Sequence, residues 1–297
     1  MGTEAKTSPA LTADLSLLAI TILWGVTFVT VKDALTLADP ISFLAMRFTL
    51  GALVTALLAG RALKSRALWR TGLFLSLFLF VGFIFQTWGL KHTTPSRSAF
   101  ITGLCMVMVP FASWWLSQRR PPPMAMLGTA IAVAGLFILT DAAEGSSSFN
   151  LGDFLTLLCT FAFALHIALT EKLGAAHPPI ALVTAQLVGV AVCSLLCLPF
   201  VDRSVTLNAD LLIAIAVTGI LATAIAISIY TWGQARTSAV HAALIFSLEP
   251  VFAALYSAGT GREVLGAREL VGGSLIIAGV LVAEVGGALL RRRAEVL

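Results

Sequence analysis

Apolar stretches of about 20 residues, the length a helix needs to cross a hydrocarbon core, recur along this chain with short polar breaks between them. Ten are found, at 14–32, 40–59, 71–90, 98–117, 124–140, 151–172, 178–200, 210–233, 239–258 and 268–290. The breaks carry residues that end helices: Asp39-Pro40, Thr94-Pro95, Pro121-Pro122-Pro123, Gly145 to Ser148, and Pro178-Pro179. The pattern predicts an all-α integral membrane protein of ten transmembrane helices. The connections are too short to hold a soluble domain. The first stretch follows Glu4, Lys6 and Asp14 rather than a basic region, and no small-residue cleavage pattern ends it. It is therefore expected to remain as a membrane helix rather than act as a cleaved signal.

Composition agrees with that pattern. Of 297 residues, 58% are hydrophobic and 11% charged, against about 25% charged in soluble domains. Mean hydropathy is +0.96. A soluble fold has too little interior to hide so much apolar surface, so the partner expected is the lipid bilayer. The isoelectric point near 9.1 does not imply nucleic acid, because no aqueous segment interleaves basic and aromatic residues. Lys and Arg instead sort by side. Twelve fall on one side of the predicted spans and six on the other, with Arg47 inside a span. The richer side is expected to be cytoplasmic, with both termini there. Cys105, Cys159, Cys193 and Cys197 all lie within apolar stretches. They are expected as buried thiols, since no His or carboxylate accompanies the Cys193–Cys197 pair on its stretch.

The second half echoes the first. Asp14 and Asp153 open stretches one and six, and Pro40-Ile41 and Pro179-Ile180 open stretches two and seven, at a shared offset of 139 residues. Trp88-Gly89 and Trp232-Gly233 close stretches three and eight, and Gly128 and Gly135 match Gly272 and Gly279, at an offset of 144. A duplicated five-helix unit follows. Five is odd, so the copies would enter the membrane in opposite senses, as in secondary transporters with a site between inverted repeats. The basic residues agree, following stretches two and four in the first half but six, eight and ten in the second. The expected organisation is a cytoplasmic tail at 1–13, a first repeat at 14–140, a periplasmic linker at 141–152, a second repeat at 153–290 and a cytoplasmic tail at 291–297, with a central cavity between the repeats.

With this plan, four segments carry a resemblance: Leu23-Trp24-Gly25, Met46-Arg47-Phe48, Ser247-Leu248-Glu249-Pro250 and the run Gly273 to Val280. Over essentially the whole chain the sequence resembles the drug/metabolite transporter superfamily, in particular its EamA family. Within it, the chain is most similar to bacterial exporters of aromatic amino acids. The resemblance implies export of aromatic and other neutral amino acids across the inner membrane by alternating access. It departs from the family pattern at Gln118-Arg119-Arg120, where an acidic residue is often found, whereas Glu263 keeps its counterpart before the last stretch.

Candidate site residues are the polar and proline positions deep in apolar stretches. Pro110 and Pro250 interrupt stretches four and nine near mid-membrane. Each removes one helical hydrogen bond, and paired interruptions point to a transporter site. They are expected as hinges or cavity wall, the alternative being packing kinks. Glu249 lies about ten residues deep, where a carboxylate costs about 3 kcal/mol on insertion scales. It reads as a group for substrate amine or proton, or as a structural partner of a backbone group or Arg47. Arg47 could snorkel or pair, and is expected as scaffold. Trp24, beside Gly25, and Phe28 on the same face are expected to line the cavity, with core or lipid packing as the alternative. Phe246 would meet the substrate side chain with them. Gln86 and His166 could hydrogen-bond a solute or serve as interhelical contacts, and Gln186, the counterpart of Arg47, is expected as interhelical glue. The cavity is expected to be lined by stretches one, three, four, six, eight and nine. The glycine-rich stretches five and ten are expected at the periphery, where they could pair two copies as a homodimer.

The chain carries no His-Glu-x-x-His, no Gly-x-Ser-x-Gly and no paired midplane aspartates, so an intramembrane enzyme lacks its usual machinery. No cofactor is implied. Transport of another small metabolite or drug, or a non-transport role as enzyme or assembly factor, remains the alternative to amino-acid export.

Overall fold

The computed structural model describes residues 9–117, 123–140, 149–234 and 245–283. Gln118-Arg119-Arg120, Arg236, the Arg291 to Arg293 run, most of the 141–152 linker and most of both tails lie outside the described residues. The chain forms helices α1 (Pro9–Ala34), α2 (Pro40–Ala59), α3 (Arg66–His92), α4 (Pro95–Gly103), α5 (Cys105–Ser117), α6 (Pro123–Thr140), α7 (Leu151–Gly174), α8 (Pro179–Cys197), α9 (Ala209–Ala216), α10 (Ala226–Gln234), α11 (Glu249–Gly259) and α12 (Ala267–Leu281). A π-helical segment, Val217–Ile225, joins α9 to α10.

Among the described residues, seven helical stretches are long and apolar enough to cross a membrane, including Thr12–Ala34, Arg66–His92 and Ala209–Tyr230. Large apolar side chains remain on the outside, Leu57 at 84% exposure and Phe200 at 86%. Such a surface suits lipid, and the protein is a multi-pass membrane protein.

The breaks seen in the sequence work as caps. Asp39 accepts from Ser42 N and Thr94 from Arg97 N, and α2, α4 and α8 each carry proline in the first turn. There the missing N–H would have had no helical partner in any case. Asn150 and Asp153 form a reciprocal capping box on α7.

Packing pairs elements from the two halves of the chain. α3 lies against α7 and α8, α2 against α8 and the π segment, α1 against α11 and α10, α5 against α7, and α6 against α12. One end of the bundle is rich in charge. Lys32 Nζ, at the end of α1, donates to the carbonyls of Leu90, Lys91 and Thr93 at 2.7, 3.0 and 2.9 Å, a cation at the negative end of α3. Arg97 pairs with buried Asp153, which also accepts from Thr93 Oγ1 at 2.6 Å. Arg97 reaches the Leu139 carbonyl as well, at 3.3 Å. The end of α1 thus lies at the same end of the bundle as the start of α7.

The glycines of α6 and α12 serve close helix packing. Gly128 faces Gly279, and a Cβ on Gly135 would stand 2.7 Å from the Gly272 carbonyl oxygen. Gly273 is covered by Phe100. These glycines let two helices of one chain touch backbone to backbone.

Candidate functional site

A cavity of about 470 Å³ opens between the packed helices. Its wall brings together Trp24, Phe28, Gln86, His166, Phe246 and Glu249, the six residues singled out for substrate contact, and adds Arg47 and Pro250. Gln186 stands behind the wall, in contact with His166, and Pro110 is not on it although its neighbour Val109 is. α12 contributes Ile276, Ile277 and Val280. The tenth stretch is therefore not peripheral: its glycines hold α6 while another of its faces closes the cavity.

The aromatic part of the wall is built around Trp24. Its ring lies 5.9 Å from both Tyr230 and Phe246, which are 5.4 Å from each other. Its indole N–H donates to the Ala222 carbonyl at 2.8 Å, so the polar edge is satisfied and the apolar faces remain for packing. Gly25 is needed next door, because a Cβ there would fall 2.8 Å from the Glu249 carbonyl oxygen. Phe83 and Phe163 form a second aromatic contact, edge to face at 5.2 Å. Phe163, Phe83 and Tyr230 were not anticipated from sequence. Phe163 was reachable, since it lies 139 residues beyond Trp24, the offset of the repeat.

The polar groups differ in how they are satisfied. His166 Nε2 and Gln186 Oε1 are 2.5 Å apart, so two residues considered separately form one contact between α7 and α8. Gln86 Nε2 reaches Thr102 Oγ1 at 3.4 Å. Arg47, expected as scaffold, is buried at the wall, with Nε donating to Thr223 Oγ1 at 3.3 Å. Its guanidinium carbon lies 5.1 Å from the Phe83 ring centroid and 5.3 Å from that of Phe48. Glu249 makes no side-chain hydrogen bond or ion pair among the described residues. Cys105 and Cys159 are buried as expected, with Cys105 also on the wall, whereas Cys193 and Cys197 are partly exposed rather than buried.

The helix interruptions are paired, one beside Pro250 and the other six residues before Pro110. Between α4 and α5, Leu104 N donates to the Ile101 carbonyl at 3.1 Å, and before α11, Leu248 N donates to the Ile245 carbonyl at 3.1 Å. Leu104 and Leu248 are 144 residues apart, the second offset of the repeat. Both breaks reach the cavity, through Gly103 and Cys105 on one side and Ser247 and Glu249 on the other. A Cβ on Gly103 would touch Pro250 Cγ at 3.3 Å, so the breaks lie close together. Pro250 sits in the first turn of α11, where it interrupts no ladder. Pro110 lies inside α5, six residues past its break.

The comparisons with known proteins agree with this architecture. The model of the EamA-like transporter family matches twice, over residues 11–141 and 150–284. A protein of Archaeoglobus fulgidus described as an uncharacterized transporter is 30% identical over 274 residues, covering 92% of this chain and 86% of its own. A solved crystal structure superposes with a TM-score of 0.68 at 21% identity, covering 93% of this chain and 98% of that one, which speaks for the fold alone. The chain belongs to the EamA-like transporter family.

Proposed function

We propose that this membrane transporter exports aromatic and other neutral amino acids by alternating access. Ten transmembrane helices would form two inverted five-helix repeats, in a bacterial inner membrane with both termini cytoplasmic. The observation that carries the reading is the cavity itself: a space of about 470 Å³, walled by aromatic rings, that also holds a carboxylate with no partner among the described residues. An aromatic side chain would stack against Trp24, Phe28 and Phe246, and the ammonium group would meet Glu249.

Several observations support the repeat. The second family match begins 139 residues after the first, which is the offset between Asp14 and Asp153. Exchanging α1 with α7, α2 with α8 and α6 with α12 carries the principal helix contacts onto one another. α1 ends where α7 begins, as opposite entry requires. Rocking of one repeat against the other is served by the breaks at Leu104 and Leu248, with Pro110 and Pro250 stiffening the helices beyond them.

The test is uptake of radiolabelled tryptophan, phenylalanine, threonine and methionine into liposomes holding the purified protein, with and without a pH gradient. Saturable uptake is expected, strongest for the aromatic pair, and its response to the gradient separates uniport from proton coupling. No uptake above empty liposomes by folded protein would replace amino acids with another metabolite or drug class.

A further inference from the structure

The cavity wall carries two groups of opposite charge, Arg47 and Glu249, with no ion pair among the described residues. Arg47 is only 8% exposed, and its Nε–H is taken by Thr223. A guanidinium has five N–H donors, and the other four make no hydrogen bond among the described residues. Burying a cation without an anion is costly. Here the cost is offset in part by the faces of Phe48 and Phe83, which leave the terminal NH₂ groups without an acceptor among the described residues. Those groups form the planar fork that matches a carboxylate.

The surrounding structure holds that fork in place. Thr223 lies in the π segment and is itself tied to the Thr218 carbonyl at 2.7 Å, one residue further back than an α-helix would place it. The preceding residue, Ala222, gives its carbonyl to the Trp24 indole. Arg47 and Trp24 are therefore fixed to adjacent residues of one element, a cationic group beside the aromatic wall. Gly219 allows the close approach of α2 that this needs, since a Cβ there would stand 2.9 Å from the Arg47 carbonyl oxygen. Glu249 lies on the same cavity wall, next to the Trp24–Phe246 contact, and no ion pair joins it to Arg47. Two opposite charges kept apart on one apolar cavity call for a ligand carrying both.

We propose that Arg47 is the carboxylate-binding residue of the cavity and that, with Glu249 receiving the ammonium, it makes the site selective for zwitterions bearing an apolar or aromatic side chain. The proposal deepens the amino-acid reading above and rests on it for the ligand, but the carboxylate subsite can be tested separately.

The experiment is competition against radiolabelled tryptophan uptake in liposomes. The competitors are tryptophan, tryptamine, which lacks the carboxylate, and indole-3-propionate, which lacks the ammonium. Wild type should favour tryptophan over either by at least about tenfold, the worth of a charge-assisted hydrogen bond. In Arg47→Gln the preference over tryptamine should fall to within about threefold, while Arg47→Lys retains part of it. Tryptamine competing as well as tryptophan in wild type, or an unchanged preference in Arg47→Gln, would overturn the proposal. The same ligands are added to the purified protein in a thermal-shift measurement. Stabilisation by indole-3-propionate that weakens in Arg47→Lys and is lost in Arg47→Gln, with any stabilisation by tryptamine unchanged in both, supports the subsite even if tryptophan is not transported. No such stabilisation together with no tryptophan uptake would remove both readings.

Discussion

The charged end of the bundle and the central cavity treat ionised side chains in opposite ways. At the end, four charged groups have structural partners: Arg97 with Asp153, Arg262 with Asp33 at 2.6 Å, Glu263 with Ser96, and Lys32 with three carbonyls. The Asp33 hydrogen bond, and then its charge, hold the Arg262 guanidinium above its ordinary pKa. In the cavity, Arg47 and Glu249 have no counter-charge among the described residues, although both lie where desolvation costs more. Charges that hold helix ends together are satisfied within the fold. Charges left unsatisfied in an apolar cavity are retained for something that enters it.

That contrast can be broken in order of effect. Asp153→Ala should be the most damaging, because it leaves Arg97 without its buried partner, a loss of about 3–5 kcal/mol for broken buried pairs. The melting temperature in detergent should fall steeply, and a wild-type value would show that the network holds nothing. Glu249→Gln should leave melting unchanged but cut tryptophan flux by about tenfold, one charge-assisted contact. Equal flux would take Glu249 out of the mechanism. Trp24→Ala should weaken transport of tryptophan more than that of threonine, by about three- to tenfold, since a lost aromatic contact contributes about 0.5–1.5 kcal/mol beyond area. Equal losses for the two substrates would assign Trp24 to packing. Arg262→Gln should change neither melting nor flux, because the pair with Asp33 is nearly half exposed on each side and solvent screens it.

Much of this was legible because membrane helices announce themselves. Asp39, Thr94 and Asn150 begin helices where turn and cap residues interrupt apolar runs. The six residues expected around the substrate were found by one physical rule, that polar or large aromatic groups deep in apolar helices are retained for a reason, and all six reach the cavity. What was missed follows from the limits of that rule. The prolines drew attention to Pro110, yet the break lies at Leu104, where no residue type signals it and only the repeat offset to Leu248 does. The π segment carries no proline to mark it, and its Gly219 lies against α2. Glycine pairs at the 144-residue offset pointed to close helix packing, and they meet between α6 and α12. Arg47 has the stem of a snorkelling residue, and only the positions of Phe48, Phe83 and Thr223 place it at the cavity.

The central claim is that the cavity is where substrate sits. Thr102 is on its wall, and Thr102→Trp would fill the space with an indole, whereas Leu57→Trp adds the same ring on the exposed outer surface. The decisive measurement is tryptophan flux through liposomes holding each variant at matched amounts of folded protein. The account predicts flux near background for Thr102→Trp and wild-type flux for Leu57→Trp. Full flux through Thr102→Trp would contradict it.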